Sequence, residues 1–241
     1  MNKDLIQKRF AKNLDTYNDN AKIQKRMAER LISFLGRKEY DNILEIGCGT
    51  GLLTNIINSQ IQFENYIAND IVSECEEYIK KINPNFNFVS GDIEKEIKNS
   101  DKKYDLIISN AALQWVDNLQ GLVDTLFSKL NDGGELLFST FGQENFREVF
   151  FAQGKSLPYY SVSELADLLT DFNPKVEQEI HVLAFKTPKD ILRHFKLTGV
   201  NALETTTWTK SDVLKFENAY NNVCSNTPTL TYNPIYIKIT K

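Results

Sequence analysis

The sequence predicts a doubly wound α/β fold, and three observations carry that expectation. From residue 41 onward, apolar runs of strand length alternate with amphipathic stretches of helical length. The first run leads straight into a glycine-rich turn, Gly47-Cys48-Gly49-Thr50-Gly51, which opens a helical stretch. The next two runs close on, or are followed by, an aspartate, Asp70 and Asp92. Strand, helix, strand at this spacing implies crossover connections and a parallel sheet with helices on both faces. Such sheets bind ligands outside the carboxyl ends of their strands.

Taken in order, residues 1–35 read as helix, with Leu5, Ile6, Phe10 and Leu14 at helical spacing and Ile23, Met27, Leu31 and Leu35 at steps of four. A break near Tyr17 to Asn20 divides them into two helices. Strand-like runs follow at 42–46, 65–69, 86–89, 104–109 and 135–141. Between them lie helical candidates at 50–58, 72–82, 93–98 and 118–130, the last closed by Asp132-Gly133-Gly134 as a helix stop and turn. Beyond Phe141, residues 143–153, 161–170, 188–197 and 210–223 read as helices, and 175–185 and 229–240 as strands. Two late strands after five parallel ones predict an antiparallel hairpin at one edge. The result is a mostly parallel seven-stranded sheet with a helical insertion before the last strand. The expected layout is one domain over 1–241: a helical arm at 1–38, a ligand-binding core at 40–141, and a C-terminal part at 142–241 with a helical cap at about 188–223.

Composition narrows the function. At 241 residues, 41% apolar and 25% charged, the chain suits one large globular domain and excludes disorder. Its apolar runs fall far short of a membrane span, and the charged N-terminus lacks an apolar signal core, so a cytoplasmic protein without a membrane partner is expected. Three scattered cysteines, Cys48, Cys75 and Cys224, give neither a disulfide framework nor a zinc site, and no metal is expected. Two histidines leave little material for a nucleophile-histidine-acid triad. The net charge of −4 conceals an asymmetry, because residues 1–38 carry ten Lys/Arg against four Asp/Glu. The acidic balance elsewhere, with a pI near 5.4, argues against nucleic acid as a partner. The basic arm is either a solvated helical face or a docking surface for an acidic partner.

The chemistry is concentrated around the glycine turn. Gly47, Gly49 and Gly51 let the backbone turn sharply and let a ligand lie on the main chain. A dinucleotide fingerprint would place its third glycine at position 52, which is Leu52, and Glu45 just before the turn would repel a pyrophosphate. A cation-bearing ligand fits better. Asp70, some 20 residues on, stands where a carboxylate accepts both hydroxyls of a ribose, and Asp92 within reach of a base amino group. Each acid taken singly reads equally as a turn residue or a helix N-cap.

This pattern of an acid, a three-glycine turn, an aspartate ending the second strand and Gly91-Asp92-Ile93 after the third resembles the class I S-adenosylmethionine-dependent methyltransferases. The resemblance implies that Gly47, Gly49 and Gly51 pass under the methionine part of the cofactor, with Glu45 holding the loop through its amides. It further implies that Asp70 binds ribose, that Asp92 and the Ile93 amide bind adenine, and that Asn110 lines the cofactor near its sulfonium. Further stretches, RFAKNLDTYNDNAKIQKRMAERL, YDLIISNAALQWVDNL, LLFSTFGQENFREV, ILRHFKLTGVNAL and LTYNPIYIK, are similar to the malonyl-carrier-protein O-methyltransferases of biotin synthesis. AQGKSLPYY after Phe151 departs from that pattern and leaves the pocket rim at 151–160 unassigned. That likeness implies malonyl-acyl carrier protein as substrate.

Methylating an aliphatic carboxylate needs no strong general base, because the nucleophile is already ionised at neutral pH. Positioning groups are therefore expected: Arg147 to grip the carboxylate, or else a surface helix arginine beside Glu148; Tyr17 to close the pocket and donate to the acid, or else a buried aromatic staple; and Gln24 to reach the cofactor's amino-acid end. Trp115 and Trp208 read as packing residues. Lys186, Lys189, Arg193 and Lys196 of the cap would face the basic arm across the pocket mouth. Two other readings stay open: a methyltransferase for a different small acid or a quinone, and an S-adenosylmethionine-binding assembly factor without activity.

Overall fold

The computed structural model describes residues 2–154, 156–198, 208–224 and 227–241; residues 199–207 of the expected cap and Lys155 of the rim lie outside them. Seven strands form the central sheet: β1 (Glu39–Ile46), β2 (Gln62–Asp70), β3 (Asn87–Ser90), β4 (Tyr104–Asn110), β5 (Leu130–Phe141), β6 (Lys175–Gln178) and, from the end of the chain, Pro234–Thr240. Two short strands, β7 (His181–Ala184) and β8 (Thr229–Tyr232), pair with each other in a separate ribbon, so the closing strand Pro234–Thr240 is β9. Across the main sheet the order is β3-β2-β1-β4-β5-β9-β6. β1 to β5 are mutually parallel where they pair, and β9 runs antiparallel to both β5 and β6.

Alternation along the strands sends side chains to two cores. Ile43, Leu106, Ile108 and Leu137 pack on one face, while Leu44, Ile107, Leu136 and Phe138 pack on the other. The first face is covered by α3 (Lys22–Ile32), α4 (Leu52–Gln60) and α5 (Cys75–Ile82), which bury Ile23, Met27, Leu31, Leu53, Ile57 and Ile79 against it. The second is covered by α6 (Ile93–Glu96), α7 (Leu119–Ser128) and α9 (Val162–Leu168), through Ile93, Leu122, Leu126 and Leu165. Between α7 and α9, α8 (Arg147–Gln153) is pinned by its buried Glu148, which accepts the backbone N–H of Thr231 at 2.9 Å and its hydroxyl at 2.6 Å. The insertion between β7 and β8 carries α10 (Pro188–Leu197) and α11 (Lys210–Val223), each opened by a capping box, Thr187 with Asp190 and Thr209 with Asp212.

The structure corrects three expectations. The arm holds three helices, because α1 (Lys3–Ala11) and α2 (Leu14–Asn20) precede α3, and Tyr17 lies inside α2. The chain breaks instead at Lys12-Asn13 and at Ala21, whose ψ of 46° leaves the helical region. Gly133-Gly134 does not end a helix: α7 stops at Ser128, and the glycines lie in a bulge of β5, where the register jumps between Tyr104 and Leu106 and Gly133 takes a φ of +73°. The two late strands are each split, giving β6 and β7 from one run and β8 and β9 from the other. As expected, the late strands pair antiparallel at one edge, β9 between β5 and the edge strand β6, with the helical insertion between them.

Candidate active site

Parallel pairing brings the carboxyl ends of β1, β2 and β4 together, with Glu45 level with Ala68 and with Ile108. The turn after β1 is fastened to β2, because the N–H groups of Gly47 and Cys48 both donate to the Asn69 carbonyl, at 2.8 and 3.0 Å. Gly47 has a φ of +68°, and a Cβ there would run into the Ala112 side chain after β4. The missing Cβ thus lets the loops after β1 and β4 pack closely against each other. Gly49 turns at a φ of +52° beneath the Phe10 ring.

A crevice opens at this point, lined by the glycine turn, Asp70, Asp92, Ile93, Asn110, Gln24 and Tyr17, among others. The sequence-predicted cofactor residues Glu45, Gly47, Gly49, Asp70, Asp92, Ile93, Asn110 and Gln24 all line it. Gly51 does not; its Cβ would strike Ile82 of α5, so its left-handed turn serves the packing of α4 on α5.

Three roles differ from expectation. The loop amide is held by Asp70, not by Glu45: one Asp70 carboxylate oxygen accepts from Gly49 N–H at 2.8 Å and the other from Val72 N–H at 2.9 Å. Glu45 instead accepts from the Thr54 hydroxyl at 2.6 Å and from the Tyr66 hydroxyl. Burial pushes Glu45 up to about 7, against the lowering effect of those two hydroxyls. Arg147 is not in the crevice: its side chain is 47% exposed and pairs with Glu144 at 3.1 Å, because the left-handed Phe146 at the start of α8 turns the phenyl ring inward and the next residue outward.

Asp70 keeps acceptor capacity, since a carboxylate offers about four lone-pair sites and two are used. Burial raises its pKa despite the hydrogen bonds from Val72 and Gly49. Asp92 caps α6, accepting from Glu94 N–H at 3.1 Å, and also takes the Lys3 ammonium at 2.8 Å. Its cap role and its place in the crevice coexist. Asn110 donates to the Gln24 carbonyl at 3.0 Å and accepts from the Ser139 hydroxyl at 2.8 Å, tying α3 to the end of β4.

Two buried acceptors, Gln24 Oε1 and Gln114 Oε1, have no hydrogen-bond partner among the described residues, and both residues line the crevice. Buried polar atoms are rarely left so. A ligand bearing ammonium and amine donors would satisfy them.

Sequence reasoning missed several lining residues. Lys3, Ile6 and Phe10 of α1 reach the crevice, as does Trp115, which is therefore not simply a packing residue; Trp208 does pack, edge-on to Phe216 at 5.6 Å. Phe141, Phe146, Thr198 and Tyr232 complete the lining from the C-terminal half. The stretch NAALQW held a signal for Gln114 and Trp115 in its position just after β4, whereas nothing local marked Tyr232 or Thr198.

A seven-stranded sheet with one antiparallel strand beside β5, a glycine turn after β1 and acids after β2 and β3 define a class I S-adenosylmethionine-dependent methyltransferase. A sequence profile described as a methyltransferase domain matches residues 19–179. A putative methyltransferase from Bacillus halodurans superposes with a TM-score of 0.63 at 14% identity, over 89% of this chain and 98% of that one. The plantazolicin methyltransferase BpumL, solved with a desmethylplantazolicin analogue and S-adenosylhomocysteine (SAH), gives 0.52 at 16% identity, over 96% and 90%. A curated protein from Calditerrivibrio nitroreducens, named malonyl-[acyl-carrier protein] O-methyltransferase, is 38% identical over 96% of this chain and 94% of its own length. The chain belongs to the malonyl-[acyl-carrier protein] O-methyltransferase family.

Proposed function

We propose that this chain transfers a methyl group from S-adenosylmethionine to the free carboxylate of a malonyl thioester carried on an acyl carrier protein, an early step of biotin synthesis. The observation that carries the reading is the crevice itself. It combines Asp70, Asp92 and the two partnerless acceptors of Gln24 and Gln114 with a glycine turn, a set suited to a cationic, donor-rich cofactor. That cofactor supplies an electrophilic methyl group on a sulfonium.

The chain's own residues then have limited work. Asp70 accepts from the ribose hydroxyls, and Asp92 with the Ile93 amide holds the base. Gln24 receives the ammonium, and Asn110 fixes the arm beside the reacting centre. No base is needed for an acid already ionised at neutral pH. Tyr17 is raised by burial and by the Asp70 charge, so its hydroxyl keeps its proton and serves as a donor in the crevice. Catalysis comes from alignment in a site that excludes water.

An acidic carrier also gives the charge asymmetry a use. Lys12, Lys25 and Arg26 of the arm and Lys186, Lys189, Arg193 and Lys196 at the cap are exposed, and α10 packs against α2. Basic residues of both elements would thus meet a negatively charged partner near the crevice.

The deciding assay supplies purified protein and S-adenosylmethionine with malonyl-carrier protein or with malonyl-pantetheine. Methyl ester on the carrier-bound form, at higher kcat/KM than on the free thioester, is expected. Methylation of neither form overturns the reading and favours the non-catalytic or other-acid alternatives.

A further inference from the structure

The removal of Arg147 from the crevice leaves a question of physical chemistry. A carboxylate entering a water-poor pocket must find donors, since an unpaired buried carboxylate is strongly disfavoured. Lys3 is the one cation among the described residues of the lining, but its ammonium is already held by Asp92, Glu94 and Asp117.

The C-terminal half of the lining contains a phenol, backed by a histidine outside the lining, that cofactor recognition does not use. Tyr232, at the end of β8, is fully buried, edge-on to Phe146 at 4.9 Å and 6.1 Å from Phe141. Its hydroxyl lies 2.6 Å from Nε2 of His194 on α10. Tyr17 lines the same crevice from the arm. Burial, with the nearby Lys22, pushes His194 down to about 4, which keeps the imidazole neutral at physiological pH. In the tautomer with hydrogen on Nε2, the ring donates to the Tyr232 oxygen and leaves the phenolic hydrogen free to point elsewhere.

We propose that Tyr232, oriented by His194, is the donor that receives and aligns the carboxylate of the methyl acceptor, in the crevice that Tyr17 also lines. This rests on the carboxyl-methylation reading above. His194 acts through Tyr232 and is a positioning residue. No proton moves: the C–S bond breaks with its electron pair going to sulfur, an oxygen lone pair of the carboxylate forms the C–O bond, and Tyr232 keeps its hydrogen. A neutral donor suits this reaction better than a fixed guanidinium. Its hydrogen bond to an ionised acceptor is roughly twice as strong as to a neutral one, so the grip loosens as the acid becomes an ester.

The test compares affinities of the SAH-loaded protein for malonyl-pantetheine and for its methyl ester, together with kcat/KM for the former. Wild type is expected to favour the free acid about tenfold or more, as a charge-assisted hydrogen bond would give. Tyr232→Phe should bring that preference to within about twofold and lower kcat/KM about tenfold, with SAH affinity unchanged. His194→Leu should reproduce the loss, and His194→Gln, which supplies an amide donor, should recover part of it. A purely structural role would weaken acid and ester alike. Retention of the wild-type preference in Tyr232→Phe, with kcat/KM within twofold, overturns the assignment while leaving the carboxyl-methylation reading intact. If Tyr232→Phe does not bind SAH, the two His194 variants decide by the same ratio. Failure of wild type to methylate any malonyl thioester overturns both.

Discussion

At the scale of single residues, the two acids at the ends of β1 and β2 divide the labour differently from their order in sequence. Asp70 holds the glycine turn and still has lone pairs for a ligand, so Asp70→Ala should lose both and weaken SAH binding by about 1.5–3 kcal/mol, roughly 10- to 150-fold. Asp70→Asn keeps one acceptor oxygen and should lose less; calorimetry in which Asp70→Ala binds as wild type does would contradict the role. Glu45 is legible through stability. Its folded pKa of about 7 lies above its ordinary value of 4.5, so the folded protein holds an extra proton between the two. The stabilisation is complete below about pH 4.5 and is lost as pH rises through about 7. Glu45→Gln retains an acceptor for Thr54 and Tyr66 without the titration. From about pH 5 to 8 its stability should improve relative to wild type by up to roughly 3 kcal/mol, read from denaturant melts. Parallel curves would exclude the buried carboxyl as their cause. Glycines, Asp70, Asp92 and Asn110 were readable because strand ends fix their positions. His194 and Tyr232 were not, since they lie 38 positions apart and only folding of the insertion joins them.

At the scale of elements, periodicity identified every strand of the parallel core but not where strands change sheets. Alternation in 175–185 keeps its phase across the break, with Val176, Ile180 and Val182 in step, so nothing in the pattern marks the passage from β6 to β7; in 229–240 the phase shifts from Leu230 and Tyr232 to Ile235, Ile237 and Ile239 at Asn233-Pro234, a signal that the single-strand reading passed over. Asn233 makes the second break, its amide donating to the Glu179 carbonyl at 3.0 Å. Gly133-Gly134 misleads for a related reason: a helix stop and a strand bulge both call for a left-handed glycine. α10 tests how far an element serves the site. Thr187→Ala removes the hydroxyl half of its capping box and should cost about 1 kcal/mol of stability. Because α10 carries His194 and leads to Thr198, KM for the acceptor should rise while SAH affinity holds; equal losses in both would mean that the cap supports the whole fold.

For the molecule as a whole, the sequence conveyed the sheet and the polarity of the site, since strand alternation and the glycine turn are local. The enclosure of the site was not readable, because α1, Thr198 just after α10, and β8 reach it from opposite ends of the chain. Charge was readable only as an imbalance. Part of the positive excess at 1–38 is spent internally, with Lys3 on Asp92 and Arg30 on Glu177 and Glu179. What stays exposed should act on encounter: reversing Lys12, Lys25 and Arg26 should slow reaction with carrier-bound substrate while sparing malonyl-pantetheine. The difference should fade as salt rises beyond about 0.15 M, where the screening length is roughly 8 Å. Stopped-flow rates that do not change at low salt would place the carrier elsewhere.

The way α1 is attached has a kinetic consequence. No side chain of this helix is fully buried, and Lys3, Gln7 and Phe10 provide its fastenings: the ion pairs to Asp92 and Glu94, a 2.9 Å hydrogen bond to the Ile71 carbonyl, and contact over Gly49. Those points span the crevice from Asp92 to the glycine turn, so with cofactor bound as proposed, spent cofactor should leave only after the helix lifts. Its residence time is then governed by the opening of a strap, a local event cheaper than global unfolding. Lys3→Met should shorten that residence several-fold, measured by chasing labelled SAH, and should remove most of its acceleration by salt. An unaltered off-rate would mean that the product escapes past a closed helix.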